Sequence, residues 1–458
     1  MSVTEHADVI VVGMGPGGEE VAGRLAEAGL DVVGVDAELV GGECPYWGCV
    51  PSKMMVRAAG LLAEGGRIRG VAGVADVRPD WAPVARRIRA EATDNWDDAV
   101  AVERFVKKGG RFIRGWGRLD GPGRVMVADR VIEAKRAIVL GTGTRVWIPP
   151  VAGLADTPYW TNRDAVETED VPTSLAVIGG GAIGVELAQV FRRFGAEVTV
   201  IEVGPSLIGP EEPEAGALLE RVFVAEGIDV RAGAEIESVG HAGDRFEIAL
   251  AGGEAVKVER LLVAAGRRVD LGSLHASSVG VDETARALPV DDHLRVIGPD
   301  RMWGVGDITG KGAFTHISMY QADIVVNDIL GRDVVPADYR AVPRVTFTDP
   351  EIGSVGLSER EARDRGLSLS VGTAPIPSSA RGWIHKTGNE GFVKLVGDTT
   401  HGVLVGATSV GPSGGEVLGL LTLAVYAEVP IDRLRHMIYA YPTFHRAVES
   451  AIADLHPV

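Results

Sequence analysis

The segment Ala7-Asp8-Val9-Ile10-Val11-Val12-Gly13-Met14-Gly15-Pro16-Gly17-Gly18 joins an apolar run to a glycine-rich turn. The run is typical of a buried parallel strand, and the turn has the spacing Gly13-x-Gly15-x-x-Gly18. Residues 19–28 have helical spacing, and a second apolar run ends in Asp36. This order predicts a dinucleotide site in which the helix N-terminus receives the pyrophosphate and Asp36 bonds the adenosine ribose.

The same pattern returns near the middle of the chain. Residues 174–178 predict a strand, Gly179-x-Gly181-x-x-Gly184 forms the turn, and a further strand ends at Glu202. Two complete fingerprints predict two bound dinucleotides. Glu202 can accept a hydrogen bond from a free ribose 2′-hydroxyl and would repel a 2′-phosphate, and residues 203–205 include no arginine. The sequence therefore favours NADH over NADPH.

Both cysteines of the chain lie in the stretch Gly41-Gly42-Glu43-Cys44-Pro45-Tyr46-Trp47-Gly48-Cys49-Val50-Pro51-Ser52-Lys53. A structural disulfide closing so short a loop would contribute only about 2 kcal/mol. A zinc site needs four ligands, and no histidine lies between His6 and His241. A cysteine pair so close to a dinucleotide turn instead indicates a dithiol/disulfide that exchanges electrons with a cofactor.

Composition limits the classes of partner. The 458 residues include 46 basic and 63 acidic side chains, a formal charge of −17, which argues against nucleic acid and anionic membranes as partners. No apolar run is long enough to span a bilayer, and the short polar N-terminus does not resemble a secretory signal. We therefore expect a cytoplasmic protein that contacts neither nucleic acid nor membrane.

The rest of the chain carries weaker signals. Residues 80–108 predict one helix with mixed charges, and strand-like runs lead into glycine turns near residues 141–145, at 266 and at 304–306. From residue 339 onward, alternating apolar residues predict an antiparallel sheet, followed by helices at 413–428 and 444–455. This last region has no nucleotide signature.

Five motifs, in order, resemble those of the class I flavoprotein disulfide reductases, which include dihydrolipoamide dehydrogenase, glutathione reductase and mercuric reductase. They are the two fingerprints, Gly41-Gly42-x-Cys44-x4-Cys49-Val-Pro-Ser-Lys53, Gly304-Val-Gly306-Asp307, and Phe347-Thr-Asp-Pro-Glu-Ile-Gly-Ser-Val-Gly356. The resemblance implies an α/β fold with two Rossmann-like dinucleotide-binding domains and a C-terminal α+β interface domain that pairs two subunits into a homodimer. It implies an FAD domain at 1–150 and 271–338, an NAD domain at 151–270 and the interface domain at 339–458.

The resemblance also implies an activity and roles for single residues. Electrons would pass from NADH through FAD to a Cys44–Cys49 disulfide, and on to a small-molecule acceptor. Cys49 would lie against the flavin and Cys44 would face the substrate, with a helix N-terminus lowering the thiol pKa. Lys53, paired with Glu186, would lie near flavin N5. The further cofactor contacts expected are Gly42, Gly143, Gly266, Gly306 and Asp307, the last on the ribityl chain; no metal site is expected.

The C-terminal motif departs from the family. The reductases it resembles end in His-x-His-Pro-Thr-x-x-Glu, supplied by the other subunit, but this chain reads Tyr439-Ala-Tyr441-Pro-Thr-Phe-His445-Arg446. Tyr441 stands in place of the acid/base histidine, and Arg446 in place of the glutamate that orients it. A phenol, with an ordinary pKa of about 10, is a poor base at neutral pH. His445 is a candidate replacement base.

Several explanations of this change stay open. Mercuric reductase also has a tyrosine near this point, because a metal held by thiolates needs no base, but its C-terminal cysteine pair has no counterpart in Asp454-Leu-His-Pro-Val458. The ketopropyl-coenzyme M carboxylase type has an aromatic residue and a histidine, although here the histidine is shifted by one position. A third explanation is a disulfide acceptor whose leaving thiol is acidic. Quinone reduction, or a redox sensor without disulfide turnover, is the remaining alternative.

The cysteine loop departs as well. Glu43 replaces the usual threonine, and its carboxylate beside the dithiol is expected to raise the thiol pKa. Tyr46 and Trp47 replace a smaller pair, and they either line a pocket for a flat substrate or fill space left by a changed neighbour.

Overall fold

The computed structural model describes residues 4–458. Its α-helices, in chain order, are α1 (Pro16–Glu27), α2 (Glu43–Tyr46), α3 (Cys49–Arg67), α4 (Ala82–Arg87), α5 (Ala99–Lys107), α6 (Asn162–Glu167), α7 (Ala182–Arg193), α8 (Pro213–Glu226), α9 (Thr315–Ile329), α10 (Glu359–Asp364), α11 (Ala380–His385), α12 (Gly414–Tyr426), α13 (Ile431–Arg435) and α14 (His445–Ala453). A π-helix, Ile88–Ala92, directly follows α4.

The strands, in chain order, are β1 (Thr4–Val12), β2 (Val32–Asp36), β3 (Arg111–Arg114), β4 (Gly117–Leu119), β5 (Arg124–Val127), β6 (Arg130–Leu140), β7 (Arg145–Val146), β8 (Ser174–Ile178), β9 (Glu197–Glu202), β10 (Asp229–Ala232), β11 (Ile236–Ala242), β12 (Arg245–Leu250), β13 (Ala255–Val258), β14 (Arg260–Val263), β15 (Arg267–Arg268), β16 (Met302–Gly304), β17 (Pro343–Thr346), β18 (Glu351–Gly356), β19 (Leu369–Pro375), β20 (Phe392–Asp398), β21 (Val403–Gly411) and β22 (His456–Pro457).

The first of two compact units is built on a seven-stranded sheet. It comprises the chain up to Pro51, Arg86–Trp147 and Arg267–Tyr339. Strands β3, β2, β1 and β6 are parallel neighbours, and β16 pairs with β6, so the chain returns to this sheet after a long excursion. Because side chains alternate along β1, Ile10 and Val12 enter one core layer, while Val9 and Val11 enter the layer that contains α1.

The second unit contains a parallel sheet, a small antiparallel sheet and a six-stranded C-terminal sheet. It comprises Ser52–Ala85, Ile148–Gly266 and Arg340–Val458. The parallel sheet has the order β10-β9-β8-β14, and the C-terminal sheet has the order β17-β18-β21-β20-β19-β22. The predicted class, α/β with two Rossmann-like domains and a C-terminal α+β domain, is confirmed. The exact domain boundaries stay a prediction.

The single helix predicted over residues 80–108 is wrong. The structure has α4, the π-helix, a break and then α5. Three consecutive residues in the break, Asp94, Asn95 and Trp96, have φ angles of 48°, 56° and 57°, a conformation that cannot continue a right-handed helix. A local helical pattern does not detect such a break, because tertiary contacts decide it.

One buried lysine fixes part of the second unit. Lys394 on β20 is 3% exposed, and its Nζ lies 2.8 Å from Glu212, 2.7 Å from Glu214 and 3.0 Å from Glu359. Burial by itself lowers the lysine pKa, but the hydrogen bonds to these carboxylates outweigh it, and the pKa is raised. Glu212 is itself only 3% exposed, and its other oxygen accepts the N–H of Glu359 at 2.7 Å.

Replacing Lys394 with methionine keeps the side-chain volume but leaves Glu212 buried without its cation. We expect Lys394→Met to lower the free energy of unfolding by about 3–5 kcal/mol, measured by urea denaturation. Lys257→Met is the matched control, because the Lys257 side chain is 63% exposed and pairs with Glu247 at 3.3 Å. A loss at Lys394 no larger than the roughly 1 kcal/mol of a surface pair would contradict the expectation.

Candidate active site

The glycine turn after β1 brings strand and helix into close contact. Gly13 has φ of 93°, and a Cβ there would overlap the backbone of Gly141. A Cβ on Gly18 would overlap the carbonyl oxygen of Gly13, so only glycine lets α1 approach this closely. In contrast, no atom lies within 4 Å of the Cβ position of Gly15. The turn therefore leaves room for a phosphate at the N-terminus of α1.

The turn after β8 repeats this geometry. Gly179 has φ of 113° and lies against Ala264, and a Cβ on Gly184 would overlap the carbonyl oxygen of Gly179. The middle glycine, Gly181, again has open space at its Cβ position. The two fingerprints thus form two equivalent cradles, one in each unit, and both fit a dinucleotide pyrophosphate.

The two acids at the strand ends also have equivalent contacts. Asp36 accepts hydrogen bonds from the backbone N–H groups of Met14 (2.6 Å) and Glu38 (2.8 Å), while burial raises the pKa of its carboxyl group. Glu202 accepts from the N–H groups of Gly180 and Gly204, each at 2.6 Å. Each carboxylate therefore supports its own turn. A carboxylate has about four lone-pair sites, so capacity remains for ribose hydroxyls.

The two cysteines lie at the ends of consecutive helices in the first unit, both as thiols. Cys44 is in the single turn α2 and Cys49 begins α3. The Sγ of Cys49 lies 3.4 Å from the hydroxyl oxygen of Thr315, at the start of α9. Sequence reasoning missed Thr315, because nothing local links it to a cysteine 266 positions earlier. Formation of a Cys44–Cys49 disulfide in the oxidised protein stays a prediction.

The pKa of Cys44 is raised, not lowered as the helix N-terminus predicted. The main cause is its hydrogen bond with Cys49, and burial adds to it. The bond holds the proton on Cys44 when Cys49 carries negative charge. The carboxylate of Glu43 lies 3.8 Å from Nη2 of Arg267, so a cation faces it.

Asp307 belongs to a hydrogen-bonded chain of three residues. The hydroxyl of Thr144 donates to Asp307 Oδ2 at 3.0 Å and accepts from Nε of Arg267 at 2.8 Å. Burial raises the pKa of Asp307, and Thr144 and Arg267 counteract it. Thr144 and Arg267 were not among the predicted site residues, although each lies beside a glycine turn that the sequence marked.

Lys53 and Glu186 form the predicted ion pair within the second unit. Lys53 Nζ lies 2.6 Å from Glu186 Oε2 and 4.7 Å from the ring centre of Phe347. The other oxygen of Glu186 accepts the N–H of Phe347 at 2.9 Å. Glu186 is 5% exposed, so both of its oxygens are used in a nearly dry environment. The ammonium group of Lys53 is therefore held by a carboxylate whose own position is fixed.

The remaining predicted glycines lie at turns. Gly42 packs against the backbone of Gly15, with 2.9 Å between its Cβ position and the Cα of Gly15. Gly143 and Gly266 have positive φ and open space beside them. The N–H of Gly306 donates to the side chain of Gln321 at 2.7 Å.

The C-terminal residues have a different environment. Tyr441 is 71% exposed, and the guanidinium of Arg446 lies 5.7 Å from its ring centre. Arg446 also pairs with Glu449 at 3.0 Å, and His445 is the first residue of α14. These residues lie in the second unit, whereas the cysteines lie in the first. Their predicted catalytic roles stay predictions.

Comparison with known proteins identifies the family. The family model described as pyridine nucleotide-disulphide oxidoreductase matches residues 7–322, and the model of its dimerisation domain matches residues 342–452. The chain belongs to the pyridine nucleotide-disulphide oxidoreductase family.

Named members of this family are similar over nearly the whole chain. The dihydrolipoyl dehydrogenase of Halobacterium salinarum is 31% identical, over 98% of this chain and 96% of that protein. The mercuric reductase of Acidithiobacillus ferrooxidans is 30% identical, over 98% of this chain and 82% of that protein. The solved structure of the HOCl-induced flavoprotein disulfide reductase RclA from Escherichia coli has a TM-score of 0.84 at 25% identity, covering 98% of this chain and 99% of that chain.

Family membership makes the protein an FAD-dependent oxidoreductase that uses a pyridine nucleotide and carries a dimerisation domain. Both dinucleotide cradles fit this assignment. Within residues 4–458, no helix has the length and apolar run needed to cross a bilayer. Over the same residues, no three or more His, Cys, Asp or Glu side chains are grouped to hold a metal ion.

The raised pKa of Cys44 predicts a pH dependence. Because this thiol titrates above its ordinary value of 9.0, the thiolate fraction should rise about tenfold per pH unit between pH 7 and 9. Alkylation of Cys44 in the reduced protein, located by tandem mass spectrometry, should follow that rise. In Cys49→Ala the main cause is removed, so the alkylation rate should level off at a lower pH. A plateau below pH 8 in the unaltered protein would contradict the expectation.

Proposed function

We propose that this protein uses NADH to reduce a small-molecule disulfide whose leaving thiol is acidic, through the Cys44–Cys49 pair. The observation that carries the proposal is the pair of hydrogen-bonded thiols beside Thr315 in the unit with the first dinucleotide cradle. The dimerisation domain supports a homodimer as the working form.

The first cradle would hold FAD and the second would hold NADH. The FAD pyrophosphate would lie at Gly15 and Gly42, its adenosine ribose would bond Asp36, and its ribityl chain would bond Asp307. NADH would bind at Gly181 and Glu202 in the same way. When bound, FAD accepts two electrons from the nicotinamide and passes them to the cysteine pair.

Lys53 would stabilise negative charge at the flavin. Its ammonium group is held by Glu186, whose second oxygen is fixed by the N–H of Phe347. Because both oxygens of Glu186 are held by hydrogen bonds, the ammonium group of Lys53 has a fixed position. Little reorganisation of the protein is then needed when negative charge develops on the flavin.

Reduction of the acceptor takes two thiol steps. Cys44, as the thiolate, attacks one sulfur of the acceptor, forms a mixed disulfide and releases the first thiolate. Cys49 then attacks Cys44, which closes the protein disulfide and releases the second thiolate. Two electrons leave the protein, and the released thiolates need protons only if their pKa is high.

The missing dyad favours an acidic leaving thiol, whereas the raised pKa of Cys44 lowers the fraction of attacking thiolate for any acceptor. Tyr441 and Arg446 replace the histidine and glutamate that would move protons in the family. An alkyl thiolate leaves poorly without a proton donor, whereas an aryl thiolate or a pyridine thiolate leaves unprotonated. Metal-ion reduction is the second candidate, because it needs no base and because a 30% identical relative is a mercuric reductase.

Glu202 supports NADH over NADPH. We expect kcat/KM to favour NADH by at least about tenfold, because a 2′-phosphate would lie beside a carboxylate. Glu202→Arg should move the ratio toward NADPH, although KM should rise for both dinucleotides because two turn amides lose their acceptor. Glu197→Arg, at the exposed start of the same strand, is the matched control. If Glu202→Arg left the ratio of kcat/KM for NADH to that for NADPH unchanged, another residue would have to recognise the adenosine ribose.

The altered C-terminal motif predicts poor turnover of alkyl disulfides. Lipoamide should be reduced about 10² to 10⁴ times more slowly than by a histidine-bearing dihydrolipoyl dehydrogenase, while reduction of bound flavin by NADH stays fast. An uncharged aryl disulfide should be reduced far faster than lipoamide. The double replacement Tyr441→His with Arg446→Glu should raise lipoamide turnover at least about tenfold.

The control for this test is His445→Ala, which should leave lipoamide turnover low and unchanged. Fast lipoamide turnover that falls in His445→Ala would instead make His445 the working acid. NADH oxidation driven by Hg(II) in the presence of excess small thiol, with no turnover of any disulfide, would favour the second candidate.

A further inference from the structure

A cavity of about 650 Å³ in the first unit opens onto Cys44. Its walls come from α1, from α2 with Cys44 and Tyr46, from residues 92–97 and α5, and from Thr315 and Met319 on α9. The volume lies in the range of sites for small molecules, roughly 300–1,000 Å³. Apolar side chains such as Tyr46, Phe105 and Met319 line part of it, which suits a flat ring.

The charged side chains of this cavity are mostly acidic. The carboxylates are Glu19, Glu20, Asp94 and Asp97, and the cations are Arg104 and Lys108. Both cations are already engaged. Arg104 Nε donates to Glu19 at 3.0 Å, and Lys108 Nζ lies 3.4 Å from Glu27. Glu20 in turn lies 3.9 Å from Arg24, so the four carboxylates of the lining outnumber its two cations, and both cations already have carboxylate partners.

The helix break that contains Asp94 is hydrogen-bonded to the turn that contains Cys44. Asp94 is one of the three left-handed residues, and Trp96 of the same run donates its Nε1–H to the carbonyl oxygen of Tyr46 at 3.3 Å. Tyr46 ends α2, the turn that contains Cys44. The left-handed residues 94–96 are thus hydrogen-bonded to the helical turn that contains Cys44. Backbone strain of this kind persists only where the surrounding structure enforces it.

We propose that this cavity is the acceptor site and that it selects uncharged or cationic disulfides over anionic ones. The inference rests on the proposed function and narrows its substrate class. Attack by the Cys44 thiolate moves one negative charge from the protein sulfur to the released thiolate, which leaves through the cavity. A disulfide that already carries carboxylates would add further repulsion to Glu20, Asp94 and Asp97. Glutathione disulfide is disfavoured on this ground as well as by its alkyl leaving thiols.

The test uses two aryl disulfides with acidic leaving groups and different charges. The uncharged reagent is 4,4′-dithiodipyridine, and the dianion is 5,5′-dithiobis(2-nitrobenzoate). Reduced, FAD-loaded full-length protein is mixed with each reagent in a stopped-flow instrument, without NADH, and release of the chromophoric thiolate is followed. Each rate constant is divided by that of a small thiol, 2-mercaptoethanol, with the same reagent, which removes the difference in intrinsic reactivity.

We expect the normalised rate constant to be at least about tenfold higher for the uncharged reagent at low ionic strength. Raising the salt concentration toward 0.3 M should increase the dianion's rate severalfold and leave the uncharged reagent's rate unchanged. The double variant Glu20→Gln with Asp94→Asn should raise the dianion's rate by about three- to tenfold, since asparagine also tolerates the left-handed conformation. Glu237→Gln with Asp244→Asn, both exposed on the second unit, is the control with the same change in net charge.

Equal normalised rates that respond neither to salt nor to the cavity variant would overturn the inference. The same increase in the control variant would also overturn it, because the effect would then belong to the net charge of −17. Failure of the proposed function has a different signature. In that case NADH would not drive thiol release from the uncharged reagent, whatever the charge selectivity of the isolated thiol step.

Discussion

The architecture depends on a close backbone contact that only glycine permits. Gly18 meets the carbonyl of Gly13, and Gly184 meets that of Gly179, so each helix begins directly against its strand. Each contact aims the helix N-terminus at an open space beside Gly15 or Gly181. A carboxylate at the end of the next strand then accepts a hydrogen bond from a backbone N–H group of the turn. One backbone constraint, used twice, thus forms both cofactor cradles.

The chemistry depends on where a single proton lies. The hydrogen bond between the two thiols raises the pKa of Cys44, so the residue proposed to attack the acceptor is the one that keeps its proton. A family enzyme with a histidine nearby can remove that proton, but Tyr441 and Arg446 offer no comparable base. The raised pKa limits the attacking thiolate, and the altered motif favours acceptors whose leaving thiol needs no proton.

The proposed flavin site and the cavity at Cys44 differ in the charge of their side chains. Lys53 is paired with Glu186, and its cation is proposed to stabilise negative charge on the flavin. The cavity at Cys44 has the opposite character, since its cations pair with carboxylates. Glu43 does not add simply to that acidity, because Arg267 lies 3.8 Å from it.

The sequence by itself predicted both fingerprints, and its resemblance to a family predicted the fold class; the redox role of the cysteine pair stays a prediction. The fingerprints are local, because glycines at a fixed spacing and an acid at a strand end act on the backbone within about 30 residues. The Lys53–Glu186 pair followed only from the family resemblance, since 133 positions separate the two residues. The tertiary structure alone decided the partners of the thiols, the break at residues 94–96 and the charges of the cavity. Thr315, Arg267 and Trp96 act through contacts with distant residues, and their local sequence patterns are those of ordinary helices and loops. A pKa or a cavity charge is a sum over all neighbours in space, so it is set only once the chain has folded.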